Sequence, residues 1–314
     1  MCAGAGGQAL GLEQAGFHHV ALIDNDEPSC ETLLLNRPAW NVLYEDLREF
    51  DGKPYEGAVD LLAGGVPCPP FSIAGHRLGA ADDRDLFPEI LRLTGEIEPK
   101  ALMIENVRGL LDDQFKTYRS EFESCIEELG YAIMGWRILN ASDFGVPQLR
   151  PRTVFVALRE GCFEGFFSWP DQEIEVPPTV GEALGDLMSS RGWWGAERWS
   201  ERANKIAPTI VGGSKKHGGP DLGPTRAKRA WAELGVNGHL VWNEPPEPEF
   251  EGDPCLTVRM VARLQGFPDS WKFHGKKTAS YRQVGNAFPP PVARSVGSQI
   301  LAALSMPRLV SAPG

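Results

Sequence analysis

The chain has 314 residues, of which 42% are hydrophobic and 23% are charged, and its formal net charge at pH 7 is −11. This composition is ordinary for a globular protein and excludes a disordered or fibrous chain. It also excludes a histone-like, polybasic nucleic-acid binder, although an acidic body can still carry one basic groove.

The first half of the chain predicts alternating strands and helices, because short apolar runs alternate with helix-like stretches over residues 1–160. Such alternation favours βαβ units and a parallel sheet. The predicted strands are His19–Ile23, Val59–Leu62, Ala101–Ile104, Tyr131–Ile138 and Thr153–Leu158. The predicted helices are Ala9–Ala15, Glu27–Asn36, Leu86–Ile97 and Tyr118–Leu129, the last of them stopped by Gly130.

Residues 166–255 predict an irregular second lobe, since they hold six tryptophans, many Gly and Pro, and little periodicity. The middle of this lobe carries nine basic and four acidic residues, a local charge of +5 (9 − 4). The basic residues are Arg191, Arg198, Arg202, Lys205, Lys215, Lys216, Arg226, Lys228 and Arg229, and the acidic ones are Glu197, Glu201, Asp221 and Glu233. The Glu/Pro-rich stretch Glu244–Pro254 predicts a linker, and final helices are predicted at Val258–Gln265 and Pro291–Leu304.

Apolar runs and cysteines bear on where the protein resides. No apolar run approaches the roughly 18–20 residues that span a membrane, and residues 1–30 lack the basic head and apolar core of a secretory signal. The six cysteines are dispersed, with no CxxC pair, which argues against a metal site or a disulfide framework. We therefore expect a cytoplasmic monomer that binds neither metal nor membrane.

A glycine-rich turn opens the chain. Gly4-Ala5-Gly6-Gly7 runs into the helix predicted at Ala9–Ala15, and glycines before a helix let backbone N–H groups approach an anionic ligand. Asp24 and Asp46 each follow an apolar run, where a carboxylate can bind ribose hydroxyls or an adenine amino group. The loop and the two acids together indicate a nucleoside cofactor.

Cys68 lies in a proline-rich segment that begins at Gly64 and ends at Ser72. Prolines at positions 67, 69 and 70 exclude a helix and a central strand, so the thiol stands on a stiff loop beyond the strand Val59–Leu62. A rigid, partly exposed thiol at the carboxyl end of a strand is a candidate nucleophile. The alternative for any cysteine is a small buried hydrophobe.

Two further segments carry candidate chemical groups. Glu105 closes the strand Ala101–Ile104 and can donate a proton if burial raises its pKa; the alternative is a solvated acid. Arg150 and Arg152 are spaced i, i+2 on an extended segment, so they should point to the same side and could hold a base carbonyl and a phosphate. The alternative for the arginines is a solvated basic strand edge.

In this order and at these spacings, the segments resemble the motifs of the DNA (cytosine-5) methyltransferases, over nearly the whole chain. Gly4–Gly7 resembles the loop that binds S-adenosyl-L-methionine (AdoMet), and Gly65–Ser72 resembles the nucleophile motif. Glu105–Val107 resembles the Glu-Asn-Val motif, and Gln148–Arg152 the Gln-x-Arg-x-Arg motif. Further matches are Arg84–Phe87, Thr209–Ile210, Leu256–Pro268 and Gln283–Pro291.

The resemblance implies an α/β protein with a Rossmann-like AdoMet-dependent methyltransferase sheet and a second, smaller, irregular target-recognition domain. The catalytic domain would span residues 1–172 and 280–314, and the recognition domain 173–279. The implied reaction transfers a methyl group from AdoMet to C5 of a cytosine flipped out of double-stranded DNA. The setting would be restriction–modification or phage protection, with a separately acting restriction endonuclease as a further candidate partner.

The resemblance also assigns roles to single residues. Cys68 would add to cytosine C6, Glu105 would hold N3 and N4, Arg152 would bind O2, and Arg150 would support the thiolate or phosphate side. The implied cofactor residues are Ala3, Gly4, Ala5, Gly6, Gly7, Asp24, Asn25, Asp46, Leu47, Pro67, Leu86, Asn286 and Ala287. The implied DNA contacts are Ser72, Thr209, Ile210, Lys215, Lys216 and Arg226.

The sequence departs from the family pattern ahead of the glycine-rich loop. In the family a strand ending in Asp-Leu-Phe precedes this loop, whereas only Met1–Ala3 precede it here, and Cys2 stands where that Phe packs on the cofactor. Asn25 stands where many relatives place a larger residue against adenine. Two alternatives stay open: the tRNA-methylating branch of the family, which lacks a large variable lobe, and a catalytically impaired DNA-binding relative.

Overall fold

A computed structural model describes residues 1–67, 85–161, 163–213 and 219–306. Six strands lie within these ranges: β1 (Leu22–Asp24), β2 (Val42–Tyr44), β3 (Leu61–Gly65), β4 (Ala101–Val107), β5 (Tyr131–Asn140) and β6 (Pro151–Arg159). Ten α-helices accompany them there: α1 (Gly7–Ala15), α2 (Glu27–Asn36), α3 (Phe87–Ile97), α4 (Lys116–Glu128), α5 (Val180–Ser189), α6 (Ala196–Arg202), α7 (Thr225–Glu233), α8 (Val258–Leu264), α9 (Lys277–Asn286) and α10 (Pro290–Ser305). Of the helices described, none combines the length and the apolar character needed to cross a membrane.

The sheet is mixed rather than wholly parallel. β1 pairs in parallel with β2, and β3, β4, β6 and β5 form a second group in which β3 and β4 are parallel. β6 runs antiparallel to both β4 and β5. The cause is the connection after β5, because residues 141–150 supply a short turn instead of the crossover that a parallel pair needs. The predicted parallel sheet is therefore wrong for β6, which alone runs against β3, β4 and β5.

Residues 1–3 lie in the gap between the two groups of strands. The Ala3 N–H donates to the Ile23 oxygen of β1 (3.0 Å), and the Met1 ammonium donates to the Ala63 oxygen of β3 (2.8 Å). Beside Met1 the gap continues as a slot of about 340 Å³. Its walls include Leu12, Val20, Val59, Leu62, Leu93, Ile97 and Leu301. Residues 1–3 themselves have no regular secondary structure.

Several elements differ from those predicted. Helix α2 has the predicted bounds, but β2 was missed because three residues are too few for alternation to show. Helix α9 was not predicted. The stretch expected as a linker packs on the second lobe through Phe250, whose oxygen accepts from the Trp193 indole (2.8 Å) and whose ring meets Trp242 edge-on.

One buried apolar cluster joins the second lobe to the helix that follows the glycine-rich loop. It contains Leu10 of α1 together with Leu184 of α5 and Trp231 of α7. Trp271 links the two parts further, since its indole N–H donates to the Ala5 oxygen within the loop (3.1 Å). The lobe therefore packs directly against the segment that the sequence predicts to bind a cofactor.

Candidate active site

A cleft of about 540 Å³ opens at the carboxyl ends of β1, β3 and β4. Most of the predicted cofactor residues line it: Ala3, Gly4, Ala5, Gly7, Asp24, Asn25, Leu47, Pro67, Leu86, Asn286 and Ala287. Glu105 and Arg152 line the same cleft. Predicted cofactor and catalytic groups thus meet at the strand ends, where open α/β sheets bind their ligands.

The glycine-rich loop depends on its glycines for close packing. Gly6 has a φ of +86°, and a Cβ there would lie 2.6 Å from the Leu33 side chain and 2.9 Å from Trp271. A Cβ on Gly7 would lie 2.1 Å from the Phe288 carbonyl oxygen. Gly6 supports the loop from behind and is not among the residues that line the cleft. Helix α1 can begin directly after the loop because no side chain intervenes.

Asp24, at the end of β1, holds the loop as well as lining the cleft. Its carboxylate accepts hydrogen bonds from the backbone N–H groups of Gly4 (2.7 Å) and Asp26 (2.8 Å). Burial raises the pKa of this carboxyl, and the two N–H donors oppose that shift. The Asp26 carboxylate in turn lies 3.7 Å from the Arg282 guanidinium of α9. These contacts tie β1, the loop and α9 together around the cleft.

Asp46 is not among the residues that line the cleft, although its carboxylate is hydrogen-bonded to the side chain of Asn25, which does line it. The Arg48 side chain donates to both of its carboxylate oxygens (2.9 and 2.6 Å). These hydrogen bonds lower the pKa of Asp46 to about 2. Its neighbours Glu45 and Leu47 line the cleft.

Glu105 and Arg152 form a buried ion pair in the cleft. The Arg152 Nε lies 3.0 Å from Glu105 Oε1, and the two side chains are only 13% and 11% exposed. Strand register explains the pairing: Val154 of β6 faces Glu105 of β4, which makes Arg152 the diagonal neighbour of Glu105. Burial raises the pKa of Glu105, and the charge of Arg152 opposes that shift. The pair can therefore present a protonated carboxyl beside a fixed guanidinium.

The segment that leads to Cys68 is anchored to the end of β4. The Asn106 side-chain amide donates to the Val66 oxygen, at 3.1 Å, and both groups are buried. Pro67, which follows Val66, lines the cleft. The predicted nucleophile Cys68 and the predicted DNA contact Ser72 lie outside the described residues.

Arg150 has partners other than those predicted. It is fully buried, and its guanidinium donates to the backbone oxygens of Ile210 (2.6 Å), Gly285 (2.8 Å) and Ala287 (2.9 Å). It is not among the residues that line the cleft. The reason is its position: β6 begins only at Pro151, so the strand alternation assumed for Arg150 does not apply.

The predicted pair Thr209 and Ile210 is held by the protein itself. The Thr209 hydroxyl donates to the Leu149 oxygen, and Ile210 is only 1% exposed. The Ile210 side chain is therefore withheld from a partner, whereas Thr209 is only half-buried.

The basic residues of the second lobe divide into paired and unpaired groups. Lys215 and Lys216 lie outside the described residues, and Arg226 is exposed on α7, one turn before Arg229. Within the described part of the chain, four of the lobe's cations are engaged in ion pairs: Arg191, Arg202, Lys205 and Lys228. Fewer unpaired cations are therefore available in the described part of the lobe than the predicted local charge of +5 suggests.

The cleft contains residues to which the sequence did not point. Gln8 of α1 lines it, and the buried amide nitrogen of Gln8 has no hydrogen-bond partner among the described residues. Gly213, Arg282 and Phe288 belong to the wall as well. The position of Gln8 just after the glycine-rich loop could have indicated it. Nothing in the sequence brings Gly213 of the second lobe to Arg282 of α9.

Comparison with known proteins identifies relatives over almost the full length. A family model of the C-5 cytosine-specific DNA methylases matches residues 1–302. The type II methyltransferase M.NgoMIV of Neisseria gonorrhoeae is 54% identical over 311 residues, which are 97% of this chain and 96% of that protein. The type II methyltransferase M.NaeI of Lentzea aerocolonigenes is 55% identical over 311 residues, which are 98% of this chain and 75% of that protein.

Solved structures share the fold at lower identity. A DNA modification methyltransferase encoded within a prophage (E. coli) superposes with a TM-score of 0.68 at 23% identity, covering 97% of this chain and 98% of the other. The S. pombe Dnmt2 methyltransferase superposes with a TM-score of 0.63 at 18% identity, covering 97% and 98% of the two chains. The α/β fold class predicted from the sequence is confirmed.

Proposed function

The chain belongs to the C-5 cytosine-specific DNA methylases and is a DNA (cytosine-5) methyltransferase, and from that premise we propose how and where it acts. It methylates C5 of a cytosine flipped from double-stranded DNA, through a covalent bond between Cys68 and cytosine C6, with AdoMet as the methyl donor. The buried Glu105–Arg152 pair carries this proposal, because it shares one cleft with the glycine-rich loop.

The residues of the cleft fit AdoMet. A glycine-rich loop lies at the start of α1, with nothing within 4 Å of the position that a Cβ on Gly4 would take. The unpartnered amide of Gln8 offers a further polar contact. The residues that would hold the cofactor are Ala3, Gly4, Ala5, Gly7, Asp24, Asn25, Glu45, Leu47, Leu86, Asn286 and Ala287. When bound, AdoMet supplies an electrophilic methyl group.

The chain's own residues activate the cytosine, since C5 is a poor nucleophile in the free base. The Cys68 thiolate forms a bond to C6, and the displaced ring electrons move towards C5 and N3. Burial raises the pKa of Glu105, which favours the protonated carboxyl that donates its proton to N3. Arg152, fixed beside Glu105, binds O2.

The same residues close the cycle. Once C5 carries the methyl group, a base removes the C5 proton, the S–C6 bond breaks, and Cys68 leaves as a thiolate. The proton on N3 returns to Glu105. The target cytosine must leave the helical stack of the DNA to reach this cleft. Flipping it out costs roughly a few kcal/mol, and contacts between the DNA and the second lobe must offset this cost.

Replacing Glu105 by Gln is expected to lower kcat by roughly 10²–10⁴-fold, the range for loss of a general acid. In the wild-type enzyme, kcat should fall as pH rises through the raised pKa of Glu105, because the carboxyl then loses the proton that it donates. The residual kcat of Glu105→Gln should lack this fall. Radiolabelled methyl transfer at saturating DNA, over a pH series, measures both effects.

Glu98→Gln is the matched control for Glu105→Gln, because Glu98 is an exposed acid paired with Arg159 (3.4 Å) outside the cleft. Its kcat and pH profile should equal those of the wild type. A Glu105→Gln enzyme with wild-type kcat would show that another group donates the proton.

We propose that the enzyme serves a restriction–modification system. Two relatives at 54% and 55% identity over nearly the whole chain are named type II methyltransferases. In that setting a separate endonuclease cuts the sequence that this enzyme protects. The tRNA alternative is not favoured, because the matching family model is one of DNA methylases and the second lobe is large.

DNA affinity should depend on the free cations of the second lobe. Binding falls with salt at a log–log slope of about −0.9 per phosphate neutralised. Arg226→Ala with Arg229→Ala should make this slope shallower by up to roughly two units while the methylated sequence stays the same. Lys215→Ala with Lys216→Ala is expected to act in the same way. Fluorescence anisotropy across a salt series measures the slope.

The control pair Arg191→Ala and Arg202→Ala changes net charge equally but removes cations already paired with Glu247 and Asp253. This pair should change the slope less than the α7 pair does. Equal slopes for the two double variants would place the phosphate contacts elsewhere.

The proposed function is tested by expression in a host without cytosine methylation, followed by bisulfite sequencing of its DNA. One methylated sequence context is expected. Unmethylated DNA from cells that contain folded protein would contradict the proposal and favour the impaired relative. Methylated tRNA with unmethylated DNA would favour the tRNA branch.

A further inference from the structure

We propose that Gln148, Arg150 and Gln265 form a buried clamp, which fixes a strap of chain (Thr209–Gly213) between the second lobe and the cleft. Through this strap, the clamp couples DNA binding in the lobe to cofactor binding in the cleft. The inference rests on the proposed function of the cleft, and it makes Arg150 a positioning residue.

The clamp holds the strap through hydrogen bonds to the backbone of Ile210. The Ile210 N–H donates to Gln148 Oε1 (2.8 Å), and the Ile210 oxygen accepts from Arg150 (2.6 Å). Both backbone polar groups of this one residue are therefore held by side chains rather than by a neighbouring strand. Gln148 and Arg150 are fully buried, so water does not compete for these bonds.

The clamp also forms hydrogen bonds with backbone oxygens at the end of α9. Arg150 donates to the Gly285 and Ala287 oxygens, and the Gln265 amide also donates to Ala287 (2.6 Å). The Gln148 amide donates to Gln265 Oε1 (2.6 Å), which closes the network. Ala287 lines the cleft, so the clamp ends at the cofactor wall.

The strap itself forms part of that wall. A Cβ on Gly285 would lie 2.4 Å from the Gly212 nitrogen, so strap and α9 touch through their backbones. The Asn286 amide donates to the Gly213 oxygen (3.3 Å), and both residues line the cleft. A shift of the strap would therefore change the shape of the cleft directly.

Ile210 of the strap shares a buried apolar cluster with Trp231 of α7, the helix that carries Arg226 and Arg229, and with Leu222 just before that helix. Arg226 is exposed on the same helix. DNA bound at α7 therefore acts on a helix that shares its buried core with the strap.

Stabilisation of the fold does not by itself explain why an arginine occupies this buried position, residue 150. Among the described residues no carboxylate lies within ion-pair distance of it, and its buried Nε has no hydrogen-bond partner. A buried cation without a counter-ion destabilises a fold strongly. The guanidinium fork, however, reaches three carbonyl oxygens in fixed directions, which a lysine ammonium cannot reproduce. We therefore infer that the function of Arg150 is to set the position of the strap.

The test measures, with the full chain, the ratio between the affinity for a cofactor analogue in the presence of DNA and the affinity in its absence. The probe is S-adenosyl-L-homocysteine, titrated calorimetrically with and without the duplex identified by bisulfite mapping. In the wild type, the duplex should tighten probe binding by roughly 5-fold or more, the lower range of typical couplings. Arg150→Lys and Gln265→Met should bring this ratio close to one, with a smaller change in the affinity for the probe alone.

Gln265→Met keeps the proposal testable if Arg150→Lys does not fold. In this variant Ala287 retains its bond from Arg150, and the Gln148 amide retains its bond to the Leu264 oxygen (3.0 Å). The matched control is Arg263→Lys, because Arg263 also donates to a backbone oxygen, that of Ala183 (3.0 Å), but lies outside the clamp.

Arg263→Lys should keep the wild-type ratio. Folded clamp variants with the wild-type ratio would overturn the proposal, and so would a wild-type ratio of one. A wild-type chain that binds no S-adenosyl-L-homocysteine at all would instead contradict the proposed function of the cleft.

Discussion

Cys68→Ser is expected to lower kcat by roughly 10³-fold or more, as when other enzymes lose their nucleophile, while much of the DNA binding remains. The covalent step has a direct signature as well. In DNA that carries 5-fluorocytosine at the target, C5 cannot lose a proton, so the S–C6 bond persists. The wild type should form an adduct that survives denaturing electrophoresis, and Cys68→Ser should form none.

Cys125→Ser is the matched control, because Cys125 is a half-buried free cysteine of α4 that does not line the cleft. It should form the adduct at the wild-type rate. An adduct in Cys68→Ala, or normal methylation without Cys68, would contradict the covalent mechanism. Loss of the adduct in both serine variants would point to damaged folding instead.

The sequence was sufficient where a residue's role follows from its place at a strand end. Glu105 lies near the carboxyl end of β4, two residues before the strand ends at Val107, and the cleft lies at that end of the sheet because parallel strands share it. Arg152 was expected near Glu105, and register places it there since it lies within β6. Both predictions depend on backbone geometry, which short apolar runs indicate well.

The sequence was insufficient where a side chain's partner lies far away in the chain. Arg150 was assigned to the reacting groups, but three carbonyl oxygens from distant segments take its guanidinium. Spacing rules describe which side of an element a residue occupies; they contain no information about which partner competes for its polar atoms.

Some elements of the fold were likewise predictable from the sequence and others were not. The bounds of α2 were predicted correctly, whereas β6 was assigned the wrong direction, since it runs antiparallel to both β4 and β5. Direction is set by the connection, and the short turn at 141–150 could have indicated a hairpin. The second lobe gave little signal, because its helices α6 and α7 are short and its core is shared with α1.

Extending the chain before Met1 by five β-branched apolar residues is expected to stabilise the protein. The slot of about 340 Å³ lies between β1 and β3. On the sides that face the slot, neither strand has a partner strand among the described residues. A seventh strand, placed between β1 and β3, would supply hydrogen bonds to both and fill the space with side chains. Each kcal/mol gained raises Tm by roughly 2–4 °C in proteins approaching this size, and we expect a rise of about 4 °C or more by calorimetry.

The gain should depend on pH, because extension also removes a buried charge. Burial lowers the pKa of the Met1 ammonium from 8.0, so the unfolded chain binds this proton more tightly than the folded one. The stability of the unextended chain therefore rises with pH between the lowered pKa and 8.0. An extension converts the ammonium to a neutral peptide N–H, and its benefit should be larger below this window than above it.

An extension of five Gly and Ser residues is the matched control, since it removes the same charge without filling the slot. It should reproduce the pH-dependent part of the gain and lack the rest. Equal Tm values for the two extensions would show that the slot takes no strand. Because the Ala3 N–H already holds the glycine-rich loop to Ile23, the apolar extension should also tighten S-adenosyl-L-homocysteine binding, and the Gly/Ser extension should not.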